Sequence, residues 1–207
     1  MKRLTVLALA TSALLASCGG GGSSSGATAT TPPVNCFGGV KGTAPFPQVT
    51  MVTSKGSVVV ELYPTNAPST VANFLQYVSD GFYKDKIFHR VISNFVVQGG
   101  GFNAALLEAP TRPAIKLEVC NGLSNTRGTI AMARTAVLDS ATAQFFVNVV
   151  DNPSLDTNGG GYAVFGKVVT GMDVVDAIRA VPTQTVAGFG SDVPVTPVVI
   201  SSITKTQ

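Results

Sequence analysis

The sequence has no tryptophan, one histidine and three cysteines, and only 12% of its 207 residues are charged. Soluble domains usually carry about 25% charged residues. Each shortage excludes something. A single imidazole, His89, excludes any multi-histidine metal site. Three cysteines are too few to frame a disulfide-stapled miniprotein. With 14 basic against 11 acidic residues the formal charge is +3, well short of the Lys and Arg surplus with which nucleic-acid binders displace counterions. What the chain does have is 45% hydrophobic residues, 22 Gly and 12 Pro. That composition supports one good core, in one domain or at most two, and excludes disorder, a coiled coil and collagen.

The charges are also unevenly placed. After Lys2 and Arg3, none occurs from Leu4 to Val40. Leu4 to Ala16 is dominated by Leu, Ala and Val and is shorter than the roughly 20 residues that span a bilayer. A positive start, a short apolar run and then small residues read as a secretory signal peptide. Its end, Leu15-Ala16-Ser17-Cys18, resembles the lipobox of bacterial lipoproteins. That resemblance implies cleavage before Cys18, a diacylglycerol thioether on its sulfur and acylation of its new amino group. The plainer alternative is an ordinary signal peptide with a chance cysteine near its end. From Gly19 to Pro33 the chain is Gly, Ser, Ala, Thr and Pro, with nothing large and apolar to offset the entropy of ordering. Such a tether has an r.m.s. span of roughly 20 Å. The division expected is residues 1–17 as signal peptide, 18–46 as lipidated cysteine and tether, and 47–205 as the folded domain. Without Lys2 and Arg3, basic residues outnumber acidic ones by one, so attachment to a membrane would come from lipid and not from a basic face.

The folded part begins near Gln48. Val49 to Thr53 and Ser57 to Tyr63 are rich in β-branched residues, and Ser54-Lys55-Gly56 between them suits a tight turn. In the second run Val58, Val60 and Leu62 share one face, as a strand requires. Asn66-Ala67-Pro68-Ser69 reads as a helix start, with a capping side chain and Pro in the first turn. Val71, Phe74, Leu75 and Val78 then follow at helical spacing, and Gly81 is placed to stop the helix. Further strand-like runs occupy Val91 to Gln98, Thr129 to Ala133, Gln144 to Val149, Ala163 to Val169 and Val198 to Thr204, with a second short helix over Met172 to Arg179. Many strands with only two helices point to an all-β barrel or sandwich covered by helices.

Side chains capable of chemistry concentrate between Phe88 and Gly100. A strand through this segment places Arg90 and Gln98 an even number of positions apart, so both face one side of a sheet together with Val96. By spacing alone such an arginine reads as a partly buried ion pair or a snorkelling surface residue. Gly99-Gly100-Gly101 lacks the Gly-Lys-Ser/Thr ending of a phosphate loop. Phe95 and Phe146 read by themselves as core aromatics, the commoner fate of Phe on a strand. His89 reads as a hydrogen-bonded structural residue rather than a catalytic base. No Gly-x-Ser-x-Gly elbow exists to recruit it into a hydrolase.

Phe88-His89-Arg90-Val91-Ile92-Ser93-Asn94-Phe95-Val96-Val97-Gln98-Gly99-Gly100 resembles the signature of the cyclophilins, the peptidyl-prolyl cis-trans isomerases. Segments in the same order extend the resemblance over about Val49 to Thr204: Lys55-Gly56, Ala67-Pro68 through Asn73-Phe74, Arg127 through Arg134, Gln144-Phe145-Phe146 and Tyr162 through Val168. Gly81-Phe82-Tyr83 running directly into Phe88-His89-Arg90, and Tyr162 before Ala163-Val164-Phe165-Gly166, are most similar to the bacterial secreted branch. The resemblance implies an eight-stranded antiparallel barrel capped by two helices, isomerisation of X-Pro bonds and no cofactor or metal. It gives Arg90 and Gln98 catalytic roles. It implies an apolar proline pocket of Phe95, Val96, Phe146, Leu155 and Tyr162, lined at the side by Ala133 and Gln144, and backbone pairing of the peptide with Arg134.

The partners implied are proline-containing segments of folding proteins and a membrane reached through Cys18, with no nucleic acid; the chain is expected as a monomer. The location implied is the bacterial envelope, facing the periplasm, and Gly19 after Cys18 favours the outer membrane. The chain departs from the family at Ser154, where relatives usually carry Trp or Phe, at Val96 in place of a frequent Met, and at Ser93 in place of a common Pro. An open pocket wall beside Ser154 leaves a competing reading, a proline-peptide holdase with weak turnover. Cys36 and Cys120 are either paired or two independent thiols, and spacing does not decide between these.

Overall fold

The structure, a computed structural model, describes residues 36–207. The expected signal peptide, Cys18 and the expected tether as far as Asn35 lie outside the described residues. In chain order the elements are β1 (Gln48–Thr53), β2 (Gly56–Leu62), α1 (Pro68–Ser79), β3 (Lys86–Val91), β4 (Val96–Asn103), β5 (Thr129–Met132), β6 (Phe145–Asn148), β7 (Val164–Thr170), α2 (Met172–Arg179), β8 (Thr183–Val186), β9 (Gly190–Pro194) and β10 (Val198–Lys205). Eight strands close into an antiparallel barrel in the order β1-β10-β3-β4-β6-β5-β7-β2, while β8 pairs only with β9. The all-β barrel with two helices is the architecture expected from the sequence. Alternation works as read: Val58, Val60 and Leu62 of β2 all point inward and are buried, and Ser54-Lys55 form the two-residue connection between the paired Thr53 and Gly56.

One strand is placed differently. The run Val91 to Gln98 is not continuous: β3 ends at Val91, a turn occupies Ile92 to Phe95, and β4 begins at Val96. β-Branched residues on both sides of the turn hide it, because Ser93-Asn94 is the only polar interruption and carries no glycine or proline. The turn is held by the Ile92 and Phe95 amides, which donate to the Val96 and Ile92 carbonyls.

The start of α1 also differs from the expectation. Its N-cap is Ala67, with no side-chain cap of its own. Glu118, far along the chain, supplies the missing acceptor. Its carboxylate takes the Ser69 and Thr70 amides at 3.0 and 2.8 Å and the Thr70 hydroxyl at 2.7 Å, where the helix dipole also favours an anion. Asn66 is occupied elsewhere, donating to the Gly39 and Asn121 carbonyls and accepting the Lys41 amide. These bonds, with a disulfide joining Cys36 to Cys120 and an edge-to-face contact of Phe46 on Tyr63, hold residues 36–46 against the domain.

Both helices bury their apolar faces in the barrel core, α1 through Val71, Phe74 and Val78, α2 through Val175 and Ile178. The core is built around aromatic rings. Phe145 meets Phe74, Tyr83 and Phe88 with centroids 5.6 to 6.1 Å apart, each near perpendicular, a geometry that adds to plain burial. Phe145→Ala is therefore expected to lower stability by about 3 to 5 kcal/mol, read as a shift of the urea midpoint at unchanged slope; a loss below about 1 kcal/mol would show that the ring is not central to the core.

Candidate active site

On a closed barrel each strand turns one set of side chains inward and the other outward. Phe145 and Phe146 show the consequence: the first enters the main core, while the second joins a separate apolar cluster on the outer surface. That cluster consists of Val96, Ala131, Phe146, Leu155 and Val164, with Phe95, Leu123, Ala133 and Tyr162 packed at its margin. The register explains it. Val96 and Gln98 of β4 lie opposite Asn148 and Phe146 of β6, Ala131 of β5 lies opposite both Phe146 and Val164, and even spacing places these side chains on one side. Val96, Phe146 and Leu155 are buried and make a floor. Arg90, Phe95, Gln98, Ala133, Arg134, Gln144 and Tyr162 are half-buried and stand around it.

Arg90 and Gln98 do come together, though for another reason than a shared strand. They are cross-strand partners on β3 and β4, brought face to face by the turn between them and by register shifts on either side of Phe88. Gln98 donates through Nε2 to Gln144 Oε1 at 3.1 Å, and Gln144 Nε2 contacts Glu108 Oε1 at 3.4 Å, so a polar chain edges the floor. Gln144 lies flat across Gly101 of β4, where a Cβ would sit only 2.6 Å from Gln144 Cγ. The Gly99-Gly100-Gly101 run thus belongs to a strand, and its last glycine makes room for the amide.

The opposite margin is built by Arg134 and Tyr162. The Arg134 guanidinium stacks over the Tyr162 ring, 4.7 Å from its centroid, and donates to the carbonyls of Gly159, Gly161 and Thr135. Tyr162 in turn meets Phe146 edge-on at 5.7 Å. Leu155 is carried by a 3-10 turn over Pro153–Asp156. Ser154 on that turn is exposed, so no side chain from that position extends the wall.

A buried amide network fixes these margins to the barrel. Asn148 donates to Asn125 Oδ1 and Thr129 Oγ1, and accepts from Asn152. Asn152 also donates to the Phe95 carbonyl at 2.9 Å. Asn125 donates to Asp156 and to the Tyr162 carbonyl. The two loops that carry Phe95, Leu155 and Tyr162 are thereby tied to one set of strands.

The chain is similar to several known proteins. A family model described as cyclophilin-type peptidyl-prolyl cis-trans isomerase/CLD matches residues 48–205. A peptidyl-prolyl cis-trans isomerase of Acinetobacter baylyi is 54% identical over 157 residues, covering 75% of this chain and 83% of that protein. Peptidyl-prolyl cis-trans isomerase B of Escherichia coli is 50% identical over 164 residues, covering 77% of this chain and 99% of that protein. Among solved structures, a Cryptosporidium parvum cyclophilin-type isomerase solved in the presence of the dipeptide Ala-Pro aligns with a TM-score of 0.65 at 25% identity, over 77% of this chain and 99% of that one.

Several groups at the site were not singled out in the sequence. Ala131 and Val164 follow from strand alternation once the register is known. The asparagines and Asp192, whose Oδ2 lies 3.5 Å from Arg90 Nε, carry no local signal. His89 is buried, but the hydrogen bond expected of it is not found at Nδ1, which has no partner among the described residues; the ring instead packs edge-on against Phe102 at 4.7 Å. Desolvation, helped by the adjacent Arg90 charge, lowers its pKa from 6.5 to about 4. Between those values the unfolded chain binds a proton that the folded chain refuses, so stability falls as pH drops through this window. Urea unfolding at about pH 7 and pH 4.5 should show the native protein losing about 2 to 3 kcal/mol more than His89→Phe over that drop; equal losses would rule out the buried neutral imidazole as the cause.

Proposed function

The chain belongs to the cyclophilin-type peptidyl-prolyl cis-trans isomerases, and from that premise we propose that the outer apolar floor and its polar edge form the groove in which an X-Pro bond is twisted. The observation that carries the assignment is the pairing of Arg90 with Gln98 directly beside the Phe146 floor.

Rotation about a prolyl amide must overcome a resonance barrier of about 18 to 20 kcal/mol. No proton needs to move. As the bond twists, the prolyl nitrogen regains its lone pair and becomes an acceptor, so a guanidinium beside it stabilises the twisted state more than the planar one. Arg90 is the group for that task. A single well-placed donor of this kind supplies about 3 to 4 kcal/mol. Gln98 holds the carbonyl side of the substrate. The proline ring sits against Phe95, Val96, Phe146, Leu155 and Tyr162, with Ala133 and Gln144 at its side, and the flanking peptide pairs with the Arg134 backbone as an added strand. The buried floor keeps water from competing with the guanidinium.

The clients proposed are proline-containing segments of secreted or envelope proteins. The apolar run before Cys18 supports export, and the Cys36–Cys120 disulfide suits an oxidising compartment. A monomer anchored by lipid at Cys18, held off the periplasmic side of the outer membrane by its tether, fits the near balance of charge in the mature chain.

Isomerisation of a proline tetrapeptide tests the site. Arg90→Ala should lower kcat/KM at least about tenfold with the fold intact; a value within twofold of the native protein would remove Arg90 from the reaction, and negligible native turnover would favour the holdase. For the anchor, Cys18→Ala should move the protein from the membrane to the soluble fraction, whereas persistence in the membrane would refute lipidation at that residue.

A further inference from the structure

The β8–β9 hairpin is the only pair of described strands outside the barrel. Phe189, at its turn, closes an aromatic cluster with Phe102 at 5.0 Å and His89 at 6.4 Å, while Val193 of β9 is buried. These contacts seat β9 beside β3. Asp192 precedes Val193, so strand alternation turns it to the opposite face, and there its Oδ2 stands 3.5 Å from Arg90 Nε. Among the described residues it is the only carboxylate within ion-pair distance of Arg90. No side-chain hydrogen bond from a described residue holds that guanidinium.

We propose that Asp192 is a positioning residue for the isomerisation: it engages the Nε edge of Arg90 and leaves the terminal N–H groups turned to the groove. The proposal rests on Arg90 being the transition-state donor. A long arginine side chain is otherwise free to sample many rotamers, and a fixed donor is worth more than a mobile one because its ordering is settled before substrate arrives. A half-exposed ion pair adds little to stability, so its effect should appear in turnover and not in folding. The hairpin, a satellite of the barrel, would then serve to deliver one carboxylate.

The test is steady-state isomerisation of a proline tetrapeptide by the native protein, Asp192→Ala, Asp192→Asn, Arg90→Ala and the double variant Arg90→Ala with Asp192→Ala. Asp192→Ala should lower kcat about five- to twentyfold, with KM within about twofold and an unchanged melting temperature. Asp192→Asn, which keeps the shape and removes the charge, should fall part of the way and serves as the readout if alanine disturbs the hairpin. The double variant should be no slower than Arg90→Ala alone, since Asp192 acts only through Arg90. A kcat for both Asp192 variants within twofold of the native value overturns the proposal. So does a double variant slower than Arg90→Ala by the full factor of the Asp192 change. Failure of Arg90→Ala to slow the reaction is a separate outcome, which removes the assignment of Arg90 and this proposal with it.

Discussion

Closure of the sheet is the constraint on which the rest of the structure depends. Eight strands joined edge to edge leave every residue on β4, β5, β6 and β7 either inside the barrel or outside it, with no exchange between the two. The inside is filled by Phe74, Tyr83, Phe88, Phe145 and Phe165. An outward row on such a barrel ordinarily faces water. Here the outward row is Val96, Ala131, Phe146 and Val164, and neither helix covers it. Loops cover it partly, leaving an apolar floor with a polar edge.

That arrangement needs loops that stay where they are. A network of buried asparagines does this. Asn125, Asn148 and Asn152 are buried, yet each finds partners among the others, Thr129, Asp156 or a backbone carbonyl. A satisfied network of this kind can be stronger than its separate bonds, and a broken one leaves several polar groups stranded at once. Arg134 works similarly at the far margin, holding glycine-rich backbone by its carbonyls and stacking over Tyr162. A wall with no large side chain at Ser154 is compatible with such bracing.

Local signals in the sequence carried the fold well and the site in part. Alternation at Val58, Val60 and Leu62 and helical spacing at Val71, Phe74 and Val78 read correctly because each reports a single element's buried face. By local pattern Arg90 and Gln98 share one strand, since valines and isoleucines flank the Ser93-Asn94 turn without a glycine or proline to mark it; the two still meet, through cross-strand register. What was not legible is what tertiary structure alone creates. Glu118 caps α1 from another part of the chain, freeing Asn66 for the N-terminal segment, and Asp192 reaches Arg90 from a hairpin with no clear local signal. Such partners share no spacing with the groups they serve, so no window of residues reveals them.

Gly101 shows how a site can depend on a residue that contributes no functional group. With no side chain there, Gln144 can lie against the strand and face Gln98. Even alanine, the smallest addition, would lift the amide and carry the polar edge of the groove with it. Tolerance to substitution should therefore follow free volume as well as chemistry: Gly101 shapes this edge while offering no group of its own.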